Sequence, residues 1–251
     1  MSETLNLILT HQPPKAVERM LKYWAQAVPP ESIHVIYGGE SGDFQSLECE
    51  RKVFIDSPRL RTVDHQRERQ SYIALFRAVL DLPAFRQAHY VHLAEYDQIP
   101  LLRGVNDLQR AWLEAEEADL IAYYLQRIDR TNSAHFLMHW CDPWFQQFLQ
   151  NISVRDNWKA VYALKGYGTF WRREAWEAVA AVREPGPIYL EQWMPTVAHH
   201  LGFRIRPIPH DAERQVVPPV ELPEPASTDR EAIQTQWFVH PVTNLWVQNG
   251  K

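Results

Sequence analysis

Cysteine is scarce in this chain. Cys49 and Cys141 are the two in 251 residues, and they stand far apart with no metal-ligand spacing. A disulfide framework and a cysteine-built zinc site are therefore excluded, and a reducing compartment is permitted. Long apolar runs are also missing, so no membrane-spanning segment is expected. The N-terminal stretch "MSETLNLILTHQPP" has no basic residues ahead of its short apolar run, unlike a secretory leader. Excess positive charge is absent too. Lys and Arg number 26 against 31 Asp and Glu, for a net charge of -5, which argues against a dedicated nucleic-acid partner. No internal repeat is present, and the one biased tract is the proline-rich stretch 217–226, which reads as an extended arm. These absences describe a soluble, cytoplasmic chain without integral membrane association, with room for peripheral contact at a membrane.

What is present suits a globular fold. Hydrophobic residues make up 45% and charged residues 23%, enough for a substantial core at this length. Aromatics reach 12%, with ten Trp, ten Tyr and ten Phe; such side chains fit a site that stacks on sugar rings or a nucleobase. The apolar run 5–10 predicts a first strand. "PPKAVERMLKYWAQAV" follows, with Val17, Met20, Leu21 and Trp24 at helical spacing and prolines in its first turn. "SIHVIYGG" and "KVFID" read as strands, "RERQSYIALFRAVLDL" as a helix and "AHYVHLAEYD" as a fourth strand. Strand, helix, strand, strand, helix, strand is the order of a mostly parallel α/β sheet with crossover helices.

The second half continues the pattern. "VNDLQRAWLEAEEA" is helical, with Asn106 or Asp107 as a cap, and "DLIAYYL" is strand-like. Residues 126–139 are irregular. "DPWFQQFLQNI" predicts a helix started by Asp142 and Pro143. "AVYALKGYGTFWRREAWEAVAAV" reads as strand, Gly-x-Gly turn and helix. "IYLEQWMPTVAHHLGFRIRPI" reads as a helix closed by Gly202, then a strand. His199 and His200, late in that helix, would bring positive charge where the helix dipole favours it.

Ligands of open α/β sheets bind beyond the carboxyl ends of the strands. That edge gathers Thr10, His11, Gly38, Gly39, Asp56, Glu95 and Asp97. In a strand, residues i and i+2 share a face, so Glu95 and Asp97 are expected to converge. Two such anions repel, and a hard divalent cation, Mg2+ or Mn2+, is the simplest relief.

On these residues, "VHLAEYDQIPL" resembles the DXD region of glycosyltransferases with the GT-A fold, with Glu95 where most members have Asp. The resemblance covers most of the chain as an order of elements. It implies a mostly parallel sheet flanked by helices, in which 1–104 form a Rossmann-like nucleotide-sugar half and 105–251 an acceptor half in one continuous domain. It implies a nucleotide-sugar donor, UDP-sugar being the commonest, and a hydroxyl-bearing acceptor such as a carbohydrate or glycolipid. The metal, Mn2+ or Mg2+, would be held by Glu95, Asp97 and His240 of "WFVHPV". Thr10 and His11 would grip the nucleoside, with Gly38 and Asp56 on the same edge and Arg61 near the diphosphate. Gly166 and Gly168 would let the backbone approach the donor sugar. Glu191 of "YLEQW" would be the catalytic base of an inverting reaction, although Gln192 stands where the family often has a second acid. The residues leave inversion and retention both open. They also leave open a nucleotidyltransferase-like enzyme, or a binding module of the same fold without catalysis. The first of these is disfavoured because "THQPPKAVERM" has no glycine after the first strand.

Overall fold

The computed structural model describes residues 3–56, 65–128, 142–164, 168–183, 190–209, 213–214 and 236–239, with side chains in all of these save 65–72, 190 and 213–214. The chain opens with strand β1 (Thr4–Thr10), helix α1 (Pro14–Ala27) and strand β2 (Ile33–Tyr37). A short helix α2 (Ser41–Ser46) leads to β3 (Lys52–Phe54). Helices α3 (His65–Leu80) and α4 (Pro83–Gln87) then carry it back to β4 (Tyr90–Glu95). Next come β5 (Ile99–Pro100), α5 (Val105–Ala115), β6 (Leu120–Ala122) and β7 (Gln126–Arg127). Helix α6 (Pro143–Ile152) precedes β8 (Tyr162–Ala163), β9 (Thr169–Arg172) and α7 (Arg173–Ala180). Helix α8 (Leu190–His200), β10 (Ile205–Pro207), β11 (Glu213–Arg214) and β12 (Phe238–Val239) complete the described elements.

The described strands include a seven-stranded sheet in the order β10-β6-β9-β4-β1-β2-β3. It is parallel except for β9, which runs antiparallel between β4 and β6. The sheet is thus the mixed, mostly parallel one expected. One difference lies at β9: "TFWR" was read as part of a turn and helix start, and it is a fully paired inner strand. From β1 the chain steps outward through β2 to β3, then returns to place β4 on the other side of β1. The direction of winding therefore reverses between β1 and β4, where open α/β sheets leave a crevice at their carboxyl edge.

Every residue of β1 is buried, as expected for a central parallel strand covered on both faces. Leu5, Leu7 and Leu9 face one core, with Phe76 and Val79 of α3 and Trp176 of α7. There Phe76 stacks on Trp176 with ring centroids 3.9 Å apart. Ile8 faces the other core, with Val17, Met20 and Trp24 of α1, Leu108 of α5, and Trp237 and Phe238 near the C-terminus. Each core draws residues from both 1–104 and 105–251.

Two expected caps differ from the structure. Helix α5 starts behind Gly104, which is in the left-handed region at φ 69, while Asn106 turns inward into a buried network. Helix α6 does begin as predicted: the Asp142 carboxylate accepts from the Phe145 amide at 2.9 Å. At the C-terminus of α8, burial holds the His199 imidazole down to about 4, and His200 is lowered as well. Both are neutral near pH 7, contrary to the expected positive charge. Arg155 serves that helix end instead, donating to the carbonyls of His199 at 3.2 Å and Gly202 at 2.5 Å. No helix among the described residues is long and apolar enough to cross a membrane.

Candidate functional site

The crevice between β1 and β4 is built by short ladder extensions. Beyond the strand ends, the Tyr96 amide donates to Leu9 O at 3.0 Å and the Gly38 amide to Thr10 O at 2.9 Å. Thr10 is buried, and its hydroxyl accepts from the Gln12 amide at 3.1 Å. The Tyr37 hydroxyl donates to Gln12 O at 3.0 Å, which ties the loop after β1 to the end of β2. Tyr37 lies over Gly39, where a Cβ would come within 2.5 Å of its hydroxyl oxygen. A residue larger than glycine would displace that ring. Asp56 is exposed just beyond β3, on the same edge but two strands from the crevice.

The acidic pair sits in a turn and not along a strand. Strand β4 ends at Glu95, and the Gln98 amide donates back to Glu95 O at 3.1 Å, closing a turn over Glu95, Tyr96, Asp97 and Gln98. The alternation argument for convergence therefore stops at Glu95. Both acids flank Tyr96 in that turn and act on its phenol. The Tyr96 phenol is pushed up to about 12, first by burial and then by the charges of Asp97 and Glu95, while a hydrogen bond from Gln12 opposes the shift. Glu95 is half-buried, and Asp97 is 6% exposed. The ring of His11 meets Tyr96 edge-on at 5.2 Å, joining the two sides of the crevice.

Gln98 closes the turn on its inner side. Its carbonyl accepts from the Trp24 indole at 3.1 Å, and its fully buried carboxamide has no hydrogen-bond partner at either atom among the described residues. It lies against Gly168, the residue before β9. A Cβ on Gly168 would come within 2.2 Å of Gln98 Nε2 and 2.8 Å of Tyr123 Cε2. Gly168 also has φ +68, so both space and backbone conformation call for glycine there. Because β9 is antiparallel to its neighbours, its first residue lies at the carboxyl edge, and Gly168 before it sits beside Gln98.

Glu191 is the second residue of α8, which starts at that edge and returns the chain to β10. Its carbonyl accepts from the Leu164 amide at 2.9 Å, and the residue is half-buried. Gln192 beside it is fully buried. Strand β12 ends with Val239 opposite Ile99, two residues past Asp97. His240, Arg61 and Gly166 lie outside the described residues.

Among the described residues no group of three His, Cys, Asp or Glu could hold a metal ion alone. The donor set nevertheless suits Mg2+ or Mn2+. These ions bind through one or two carboxylates and take their other oxygens from water and substrate phosphate. Tyr96, Gln98 and Gln12 were not singled out from the sequence. Their signal was adjacency to the acidic pair and to the end of β1, which says nothing of burial or direction.

No protein-family model and no curated sequence matches the chain. Solved structures do. A mannosyltransferase from Pyrobaculum calidifontis, solved with GDP-Man and Mn2+, is similar over 81% of this chain at 12% identity and TM-score 0.42. The chain spans about half of that protein, 53% of its length. A cytidylyltransferase from Leptospira borgpetersenii is similar over 83% of this chain and 76% of its own, at 12% identity and TM-score 0.42. An active-site variant of LgtC is similar over 84% of this chain and 75% of its own, at 8% identity and TM-score 0.45. At these identities and TM-scores none of these neighbours lends its activity to this chain.

Proposed function

We propose that this protein is a glycosyltransferase that moves a sugar from a nucleoside-diphosphate donor to a hydroxyl acceptor. The observation that carries the reading is the acidic turn at the point where the sheet reverses its winding, with Glu95 half-buried and Asp97 buried in it. Thr10 and His11 line the facing side for the nucleoside, and Gly38 is bonded to Thr10 behind them. Glu95 and Asp97 would hold Mn2+ or Mg2+, with His240 as a further ligand and Arg61 toward the diphosphate. The ion, when bound, supplies charge neutralisation for the departing diphosphate.

The chain's own residues do the rest. Gly168 keeps the edge beside Gln98 free of a side chain, and Gly166 and Gly168 would let the donor sugar approach the backbone. Glu191, in the first turn of α8, would take the acceptor hydroxyl proton in an inverting reaction. The helix dipole favours its ionised, proton-accepting form. UDP-sugars are the first donors to try, and a carbohydrate or glycolipid the first acceptors.

A thermal-shift screen of nucleoside diphosphates and their sugars, with and without Mn2+, tests the reading. A ligand that binds the folded state raises its melting temperature by mass action. The expected result is a shift that needs both nucleotide and metal and disappears in Asp97→Asn. The reading fails if no nucleotide shifts the protein under any metal. Glu191→Gln should keep the shift and lower transfer by roughly 10²–10⁴. Incorporation from a nucleoside triphosphate in place of sugar transfer would make the protein a nucleotidyltransferase.

A further inference from the structure

Beside the acidic turn, on the flank of the sheet, lies a cleft of about 480 Å³. It is lined by Trp112, Tyr123, Tyr124, Gln126, Pro207 and Ile208 among others. Its volume is in the range of small-molecule sites, which are concave, mostly apolar and carry few polar groups. Two walls come from the carboxyl ends of β6 and β10: Tyr123 and Tyr124 follow β6, and the Ile208 amide continues the ladder to Ala122 O at 2.9 Å. The third wall is the Trp112 indole of α5, whose Nε1 donates to Pro207 O at 3.1 Å. That bond fixes the plane of the ring, and Trp112 remains half-buried.

Two features mark this cleft as more than a packing defect. Tyr124 holds φ at +51, a left-handed conformation that a bulky side chain rarely adopts. Such strain persists where the surrounding structure enforces it, and it clusters at ligand sites. The cleft is also joined to the acidic turn by a single shared contact. Gly168 touches the Tyr123 ring on one side and the Gln98 carboxamide on the other. A ligand in the cleft would lie one aromatic ring away from the residue that follows Asp97.

We infer that this cleft receives the acceptor, and that the acceptor presents a pyranose ring to it. The inference rests on the transferase reading above. A pyranose has an apolar face of C–H bonds and a rim of hydroxyls. Trp and Tyr offer flat apolar surfaces with polar tips, and a planar ring held in place loses little entropy when it stacks. Gln126 at the mouth supplies an amide donor and an acceptor for ring hydroxyls.

Saturation-transfer NMR with methyl β-pyranosides of glucose, galactose and mannose tests the inference, with p-nitrophenol as the aromatic control. At least one methyl pyranoside should be saturated through its ring protons by the wild-type protein. Tyr124→Gly should weaken that binding about ten-fold, the loss of one stacking face. Glycine relieves the backbone conformation at 124 but gives up the ring's packing against the core, so binding is scored at a temperature where the variant is folded by its melting curve. Trp112→Leu should weaken binding as well. Should Trp112→Leu fail to fold, Tyr124→Gly alone decides. The inference is overturned if no methyl pyranoside is saturated, if saturation survives Tyr124→Gly unchanged, or if p-nitrophenol alone is bound. The nucleotide shift is measured separately on the wild-type protein. Its absence, with pyranoside binding retained, would remove the transferase reading and keep the cleft as a sugar site.

Discussion

Two polar clusters share the strand pair β1 and β4, and they behave in opposite ways. Midway along the strands, Asn6 donates to Ser32 Oγ and Asn106 Oδ1, each at 2.9 Å, and Asn106 donates back at 3.0 Å. The Asn6 carboxamide oxygen meets His92 Nδ1 at 3.1 Å. Trp24, Phe170 and Phe238 surround the His92 ring. That cluster is buried and neutral, and its amides bond to one another. At the carboxyl edge, the second cluster gathers two carboxylates, a phenol and a buried carboxamide around one turn. Its two acids, Glu95 and Asp97, stand one residue apart in that turn. The comparison teaches that buried polarity does not by itself mark a site on this sheet. Buried amides joined to one another specify how β1, β4 and α5 meet. Concentrated charge of one sign at the strand ends calls for a ligand.

The comparison breaks most visibly at Asp97. Asp97→Asn keeps the shape of the turn and removes a charge. Sugar transfer should fall by roughly 10²–10³, about 3–4 kcal/mol of transition-state stabilisation, and the Mn2+-dependent thermal shift should vanish. Stability in urea should stay level or improve, because one source of repulsion is gone. Unfolding of the variant under conditions where the wild type is folded would place Asp97 with the structural cluster.

The reverse behaviour is expected midway along the strands. Asn6→Leu leaves the Ser32 hydroxyl, the Asn106 amide and His92 Nδ1 short of a buried partner. Equilibrium unfolding should show a loss of about 3 kcal/mol, while nucleotide binding by the folded fraction stays as in the wild type. A selective loss of nucleotide binding without loss of stability would erase the distinction between the two clusters.

The sequence made some of this legible and hid the rest. The order of strands and helices showed because apolar residues repeat at the right periods: Val17, Met20 and Trp24 along α1, and Val91, Leu93 and Ala94 in β4. Glu95 and Asp97 showed because charge follows a buried strand. Strand β9 did not, since its four residues "TFWR" run directly into "REA" and carry helix-start chemistry locally. What makes them a strand is pairing with β4 and β6, distant in the chain. Asn106 looked like a helix cap because caps and buried amides use the same residue; only the fold brings Asn6 to it. The turn over Glu95 and Gln98 was missed because the strand pattern gives no sign of where the last ladder bond falls. Gln98 and the cleft around Trp112 and Tyr124 depend on three separate strand ends meeting, which no local window contains.

Gly168 links the charged turn to the aromatic cleft, so it sharpens the comparison at a smaller scale. Gly168→Ala adds a methyl group that meets Gln98 and Tyr123 and puts a side chain at φ +68. Together these should cost about 2 kcal/mol in unfolding free energy. The methyl also pushes on the residue after Asp97, so the Mn2+-dependent shift should weaken in the folded protein. A stability loss with an unchanged metal-dependent shift would mean that Gly168 serves packing alone.

The smallest effect separates the clusters by proton linkage. Burial lowers the His92 imidazole to about 3 from an ordinary value of 6.5. Above pH 6.5 the ring is neutral in both folded and unfolded chains and contributes no pH dependence. Below it the unfolded chain takes up a proton that the folded chain refuses. Stability should therefore fall by about 1.4 kcal/mol per pH unit from this residue as the pH drops from about 6 toward 4. His92→Gln can keep a hydrogen bond to Asn6 and cannot titrate, so urea unfolding at a series of pH values should show a shallower slope. Burial lowers His34, His199 and His200 too, and these leave a residual slope in the variant. Parallel slopes for variant and wild type would mean that water reaches His92 in the folded chain, and the buried cluster would lose the property that sets it apart from the charged turn above it.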